Sequence, residues 1–275
     1  MVASKRKLPS LNTTLLMIPL YAWIIGFLVG PFVILSLFSF NTRLPDGTTS
    51  TALSLEAYRR LLDPLYLGII LRSLALALAN TVLCLLLAFP TAYLMARLRG
   101  PQKALALSLI LIPLATSFLI RIFAVMDFLR LKPFGLDGLY TVPGILFALC
   151  YNYLPYAILP LYASFQRQDP RLLEAAADLG ASRRQLVTRI LIPLHKSAIF
   201  SAALFVFIPS TGEYLVPALV GGSRQFFIGN FLQNQFLTAR NWPLGSALIV
   251  LLLFLTLLGL RQLRRYESFS TRKGA

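Results

Sequence analysis

Six stretches of the chain are apolar on every helical face rather than along one stripe: Leu15–Phe40, Ile69–Ala96, Ala104–Phe123, Val142–Phe165, Ala198–Val220 and Leu244–Leu260. A helix that is hydrophobic all round belongs in a core or a bilayer. About 20 such residues cross ~30 Å of hydrocarbon, so each stretch predicts a transmembrane helix. Polar residues crowd the end of the third. The first is longer than the ~7–15-residue core of a cleaved signal peptide and has no A-x-A-like site after it. It is expected to remain as a span.

Composition agrees with this pattern. Hydrophobic residues make up 57% of the 275 and charged residues 13%, about half the charged share of a soluble domain. The 26 Lys+Arg outnumber the 10 Asp+Glu, a formal charge of +16. In a soluble chain that balance would suggest nucleic acid. Here the basic residues lie between apolar spans, where they set orientation, and no nucleic-acid role is expected. Seventeen of the 26 fall in the amino tail (Lys5, Arg6, Lys7), after spans two and four, and in the carboxyl tail. The positive-inside rule therefore predicts that both termini are cytoplasmic.

Pro19, Pro31, Pro90, Pro155, Pro160, Pro209 and Pro217 fall within spans. Neighbouring helices must satisfy the carbonyls such residues free, so the spans are expected to form a bundle. Gly26 and Gly30 make a G-x-x-x-G pair that permits close approach. No repeat relates the two halves, which weighs against a secondary transporter. Cys84 and Cys150, the two cysteines, read as small buried hydrophobes with no metal spacing.

The most polar cytoplasmic segment is residues 166–193. Asp169 suits an N-cap and Pro170 the first helical position. Glu174 and Asp178 share one face, and Leu172, Ala175, Ala176 and Leu179 recur at helical spacing. Gly180 ends this helix in the left-handed conformation glycine adopts at low cost. Ser182 caps a second helix, Arg183 to Ile192, which Pro193 is expected to close. A short helix with an alanine face and two acids fits a protein groove better than a lipid surface, which favours basic residues with large apolar ones.

The run Glu174-Ala175-Ala176, then Gly180, then Ile190 and Ile192-Pro193 resembles the EAA loop of ABC importer permeases, E-A-A-x3-G-x9-I-x-L-P, with Ile192 in place of Leu. Tyr151-Asn152-Tyr153-Leu154-Pro155, Leu159-Pro160-Leu161-Tyr162, Gly212-Glu213-Tyr214 with Pro217 and Gly221-Gly222, and Asn241-Trp242-Pro243 are similar to the spermidine/putrescine permease branch. One departure stands out. After Arg121 that branch usually has an aromatic pair ending in Trp, and here the chain reads Ile122-Phe123-Ala124-Val125.

The resemblance implies an all-α membrane protein of six spans, residues 1–275 forming a single importer transmembrane domain. It implies a bacterial inner-membrane permease moving a small cationic solute such as a polyamine, or another small organic or inorganic solute of the same branch, by alternating access. It also implies two ATPase subunits holding ATP-Mg, a second homologous permease and an external solute-binding protein. Consistent with a separate energy source, the chain contains no G-x-x-x-x-G-K-[ST] loop. A membrane-embedded enzyme would need clustered His, Cys or acids that one His and two distant Cys do not supply. A stand-alone channel would leave the docking helix without a role.

Glu213 is the acid expected inside a span, where insertion of a carboxylate costs about 2.5–3.5 kcal/mol. It either serves a cationic solute along the pathway, with Tyr214 beside it, or pairs with Arg72, Arg121 or the partner permease. Tyr151, Asn152 and Tyr153 either offer polar and cation–π contacts to an ammonium group or belong to an interfacial belt. Asp127, Arg130, Lys132 and Asp137 read as a solvated outer loop, and His195 as an interfacial or capping residue without chemistry.

Overall fold

The computed structural model describes residues 11–44, 48–50, 52–131, 138–169, 171–222 and 225–272. Lys5, Arg6, Lys7, Lys132, Asp137 and Pro170, and the end of the carboxyl tail from residue 273, lie outside them. The described residues fall into two compact units, one drawn from residues 11–63 and 235–254, the other from 64–234 and 255–272.

In the first unit, α1 (Leu11–Trp23) passes through a π turn (Ile24–Val29) into α2 (Gly30–Ser39). Pro31 has no N–H to return to the preceding turn, and the helix widens just before it. A short hairpin follows, β1 (Thr42–Arg43) antiparallel to β2 (Thr49–Ser50), then α3 (Glu56–Leu61). The Tyr58 hydroxyl donates to Ser39 Oγ at 2.8 Å and so ties α3 back to the end of α2. A Cβ at Gly26 would meet nothing within 4 Å. Among the described residues, the expected close-packing glycine face has no partner there.

The second unit holds α4 (Pro64–Arg97), α5 (Gly100–Ala115), α6 (Phe118–Arg130), α7 (Val142–Gln166), α8 (Arg171–Asp178), α9 (Arg183–Gln185) and α10 (Ile192–Leu194). These are followed by α11 (Lys196–Thr211), α12 (Leu215–Val220) and α13 (Ile228–Gln233). A π turn (Asn234–Thr238) precedes α14 (Trp242–Arg272), which runs from the first unit into the second. The core lies where α4, α7 and α11 meet. Fully buried Ala77, Ala88, Ala92, Ala148, Ala157 and Ala202 line it. Without a hydrophobic drive between helices in lipid, small side chains let backbones approach and gain dispersion contacts. Asn80 Nδ2 donates to Ser210 Oγ at 2.8 Å across α4 and α11, a buried hydrogen bond of about 0.6–2 kcal/mol in a membrane. Cys84 and Cys150 pack there as buried free thiols.

Among the described residues, four helices are long and apolar enough to span a membrane: Met17–Ser39, Pro64–Arg97, Val142–Gln166 and Trp242–Arg261. They match the first, second, fourth and sixth apolar stretches. The other two differ from the continuous helices expected. Ala104–Phe123 is broken, because α5 and α6 meet at 102°. Thr116 and Ser117 are extended there, and the Thr116 hydroxyl donates to the Pro113 carbonyl at 2.8 Å. Hydroxyl side chains that satisfy the last carbonyls compete with helix continuation.

Ala198–Val220 is interrupted at residues 212–214, between α11 and α12. Pro217 has no N–H to donate to the carbonyl of Glu213, which removes one of the hydrogen bonds that would carry α12 back through that residue. Pro193 also differs from expectation. It does not close the second loop helix but lies inside α10, and the break comes at His195. A π turn (Leu186–Leu191) just before it widens the backbone around the ring.

Candidate functional site

Two places gather the residues singled out by the sequence. The first is the loop after α7. Asp169 Oδ1 accepts from the Arg171 N–H at 3.0 Å, as an N-cap does. At the far end Gly180 has φ +83. The Gly180 N–H donates to Ala177 O and the Ala181 N–H to Ala176 O, the paired bonds of a Schellman cap. Ser182 and Gln185 form a reciprocal capping box that starts α9.

The side chains of α8 divide cleanly. Leu173 is buried beneath it, while Leu172, Glu174, Ala175, Asp178 and Leu179 are exposed and Ala176 is half-buried. Leu179 is 89% exposed. The apolar stripe expected at helical spacing therefore points away from the bundle, an exposed ridge with alanine at its centre. Ile190 packs against the core from the returning segment.

The second place is the break at 212–214. Glu213 is half-buried. Its carboxylate accepts from the Tyr153 hydroxyl at 2.5 Å and from the Leu215 N–H at 2.9 Å. Tyr153 comes from α7, so the acid is held by a side chain 60 positions away and by the first turn of α12. Tyr214 precedes α12, and its carbonyl accepts from Ala218.

Arg121, on α6, is buried and directs Nη1 at the Asn152 carbonyl, 3.4 Å away, with its guanidinium 5.5 Å from the Phe118 ring. Its Nε and the Oδ1 of fully buried Asn152 have no hydrogen-bond partner among the described residues. A buried donor and a buried acceptor left open on adjoining helices are chemically suited to a polar guest. Tyr151 stands apart: it is 42% exposed on the other side of α7. The structure thus joins Glu213 with Tyr153, and Arg121 with Asn152. Asp127 and Arg130 pair with each other at the exposed end of α6.

Two supports were not anticipated. A Cβ on Gly229 would stand 2.4 Å from the Glu213 carbonyl oxygen and 2.8 Å from the Tyr214 Cα. α13 therefore presses its backbone directly on the break. The Ile228 N–H donates to Ser73 Oγ at 2.8 Å, fixing the start of α13 to α4. Ser73 was visible as a hydroxyl in an apolar run. Nothing in the local sequence distinguishes Gly229.

Residues 88–267 match the family described as binding-protein-dependent transport system inner membrane component. The spermidine/putrescine transport system permease protein PotB of Escherichia coli K12 is 36% identical over 245 residues, covering 84% of this chain and 89% of the relative. PotB of Haemophilus influenzae is 34% identical over 244 residues, covering 84% and 85%. The fold also matches a crystal structure of a bacterial ABC transporter that imports the polysaccharide alginate, with a TM-score of 0.68 at 19% identity, covering 92% of this chain and 95% of that one. A second crystal structure, of the alginate transporter with a pentasaccharide-bound periplasmic protein, matches at a TM-score of 0.66. With the family spanning most of the chain, this protein belongs to the inner-membrane components of binding-protein-dependent transport systems and is a permease subunit of an ABC importer.

Proposed function

We propose that the chain conducts a small cationic solute of the polyamine class into the cytoplasm. The observation carrying this reading is the acid at the break. Glu213 sits where the helix is interrupted, held by Tyr153, with the open polar atoms of Arg121 and Asn152 on α6 and α7. A carboxylate at that depth is costly unless it meets a cavity, a partner or a charged guest. The PotB relatives add spermidine and putrescine as the solute class.

In this reading residues 1–275 act as one transmembrane domain of six spans, counting the α5–α6 and α11–α12 pairs as one each, with both termini cytoplasmic. A second homologous permease completes the pathway and an external binding protein delivers the solute. Two ATPase subunits hold ATP-Mg, and this chain binds no cofactor. Residues 166–193 form the docking loop: the exposed ridge of α8 seats in an ATPase groove, and Gly180 turns the chain so that closure of the ATPases rocks α11.

Glu213→Gln tests the pathway role. Glutamine still accepts from the Leu215 N–H and can bond Tyr153, so the break keeps its shape without its charge. In proteoliposomes with the full complex, uptake of radiolabelled spermidine should fall at least about tenfold, the scale of one lost charge-assisted contact. Wild-type uptake in a normal complex would sink the pathway role. Failure to assemble would assign Glu213 to the partner permease instead.

A further inference from the structure

His195 is placed where the docking loop returns to the bundle, at the break between α10 and α11, where the segment Arg183–Leu194 meets α11 at 72°. It is 3% exposed. Both ring nitrogens are bonded to the helix from which the loop departs. Nε2 donates to Gln168 Oε1 at 2.8 Å, just past the end of α7, and Nδ1 accepts from the Ser164 hydroxyl at 2.7 Å, in its last turn. The ring meets Phe165 edge-on, 4.3 Å between centroids. Phe165 in turn packs on Phe89 and Tyr93 of α4, at 5.2 and 5.6 Å. Burial lowers the imidazole pKa, which suits a neutral ring with one donor and one acceptor, the pattern these partners require.

A loop whose ends can drift apart absorbs a push on its tip, whereas one pinned at its base passes the push to the helices at that base. The chain leaves α7 at Gln166, carries α8 outward and returns to α11 at Lys196. Between those points the contact that closes the base through both nitrogens of one side chain is His195. We propose that His195 is a positioning residue that pins the base of the docking loop, so that movement of α8 turns α11 rather than being lost as slack. This rests on the reading of α8 as the ATPase-docking helix.

The test uses the assembled importer in proteoliposomes, with radiolabelled spermidine and ATP hydrolysis measured together. His195→Ala removes the pin, and His195→Phe keeps the ring but removes both hydrogen bonds. In both, the ATPase subunits should co-purify and ATP hydrolysis should continue. Spermidine imported per ATP should fall about tenfold, the scale of one to two ordinary hydrogen bonds. His195→Gln, whose amide N–H can still donate to Gln168, should regain part of that ratio, which a packing role would not reproduce. Should His195→Ala fail to insert, Gln168→Ala, past the end of α7, should lower the ratio about fivefold.

An unchanged ratio in His195→Phe, or no recovery in His195→Gln, overturns the pin. Ala176→Arg separates this from the underlying reading. If Ala176→Arg loses the ATPase while the His195 variants behave as wild type, the pin alone is wrong. If Ala176→Arg keeps the ATPase, the docking reading fails and the pin with it.

Discussion

The backbone turns sharply at Gly180 and again at Glu213, for opposite reasons. At Gly180 the cause is the residue's own conformation. Its φ is +83 and nothing lies within 4 Å of where a Cβ would stand. Only the hydrogen bonds of the preceding turn hold the corner, and they are made within six residues. At 212–214 the φ values are ordinary, −96 at Gly212 and −107 at Tyr214. That corner has one local bond, from the Leu215 N–H, and is otherwise held from outside, by Tyr153 on the acid and by the backbone of Gly229 pressed on its carbonyl. A corner of the first kind travels with its short segment. One of the second kind exists only in the assembled bundle.

The largest effect that would break this contrast is at Gly229. A methyl group there meets backbone 2.4 Å away, and forced repacking of a tight site costs typically 1–3 kcal/mol. Gly229→Ala should therefore lower thermal stability in detergent by about 3 kcal/mol, near the top of that range, and Gly229→Asn should be worse. A Gly229→Ala protein as stable as wild type would mean that α13 does not hold the break.

At Gly180 the strain is purely conformational. Gly180→Val should cost about 1–2 kcal/mol, the usual cost of a left-handed non-glycine residue. Gly180→Asn should recover much of it, because asparagine tolerates that region. The readout is ATPase co-purification, which Gly180→Val should impair without loss of membrane insertion. Equal behaviour of Val and Asn would show that the corner is not set by φ.

Smallest is Asp169→Ala. Removing an exposed N-cap costs about 1 kcal/mol and should weaken ATPase capture slightly, with Asp169→Asn near wild type. If Asn fails as Ala does, the carboxylate contacts the ATPase rather than capping α8.

This contrast also explains what the sequence could disclose. The helices of the loop after α7 were legible because their determinants, Asp169, Gly180 and Ser182, each act within a few residues. The long spans were legible because hydrocarbon thickness sets a length that a run of apolar residues either meets or does not. The bend at Thr116–Ser117 and the break at Glu213 were hidden inside apolar runs, where prolines mark permissible bends without saying which is used. The pairing of Tyr153 with Glu213 depends on the register of α7 against the break, and His195 acquires two partners only when α7 and α11 are set side by side. Such facts belong to the bundle and have no local signature.

The length of α4 has a further consequence. Its 34 residues make a rod of about 51 Å at 1.5 Å per residue, against ~30 Å of hydrocarbon. The 25 residues of α7 reach about 38 Å by the same rise. A hydrocarbon layer thickened by longer acyl chains can therefore still be spanned by α4 with length to spare, while α7 has little overhang to give. Bilayer thickness should act on this permease through α7, and lipid chain length becomes a handle on the angle between the two helices that requires no mutation.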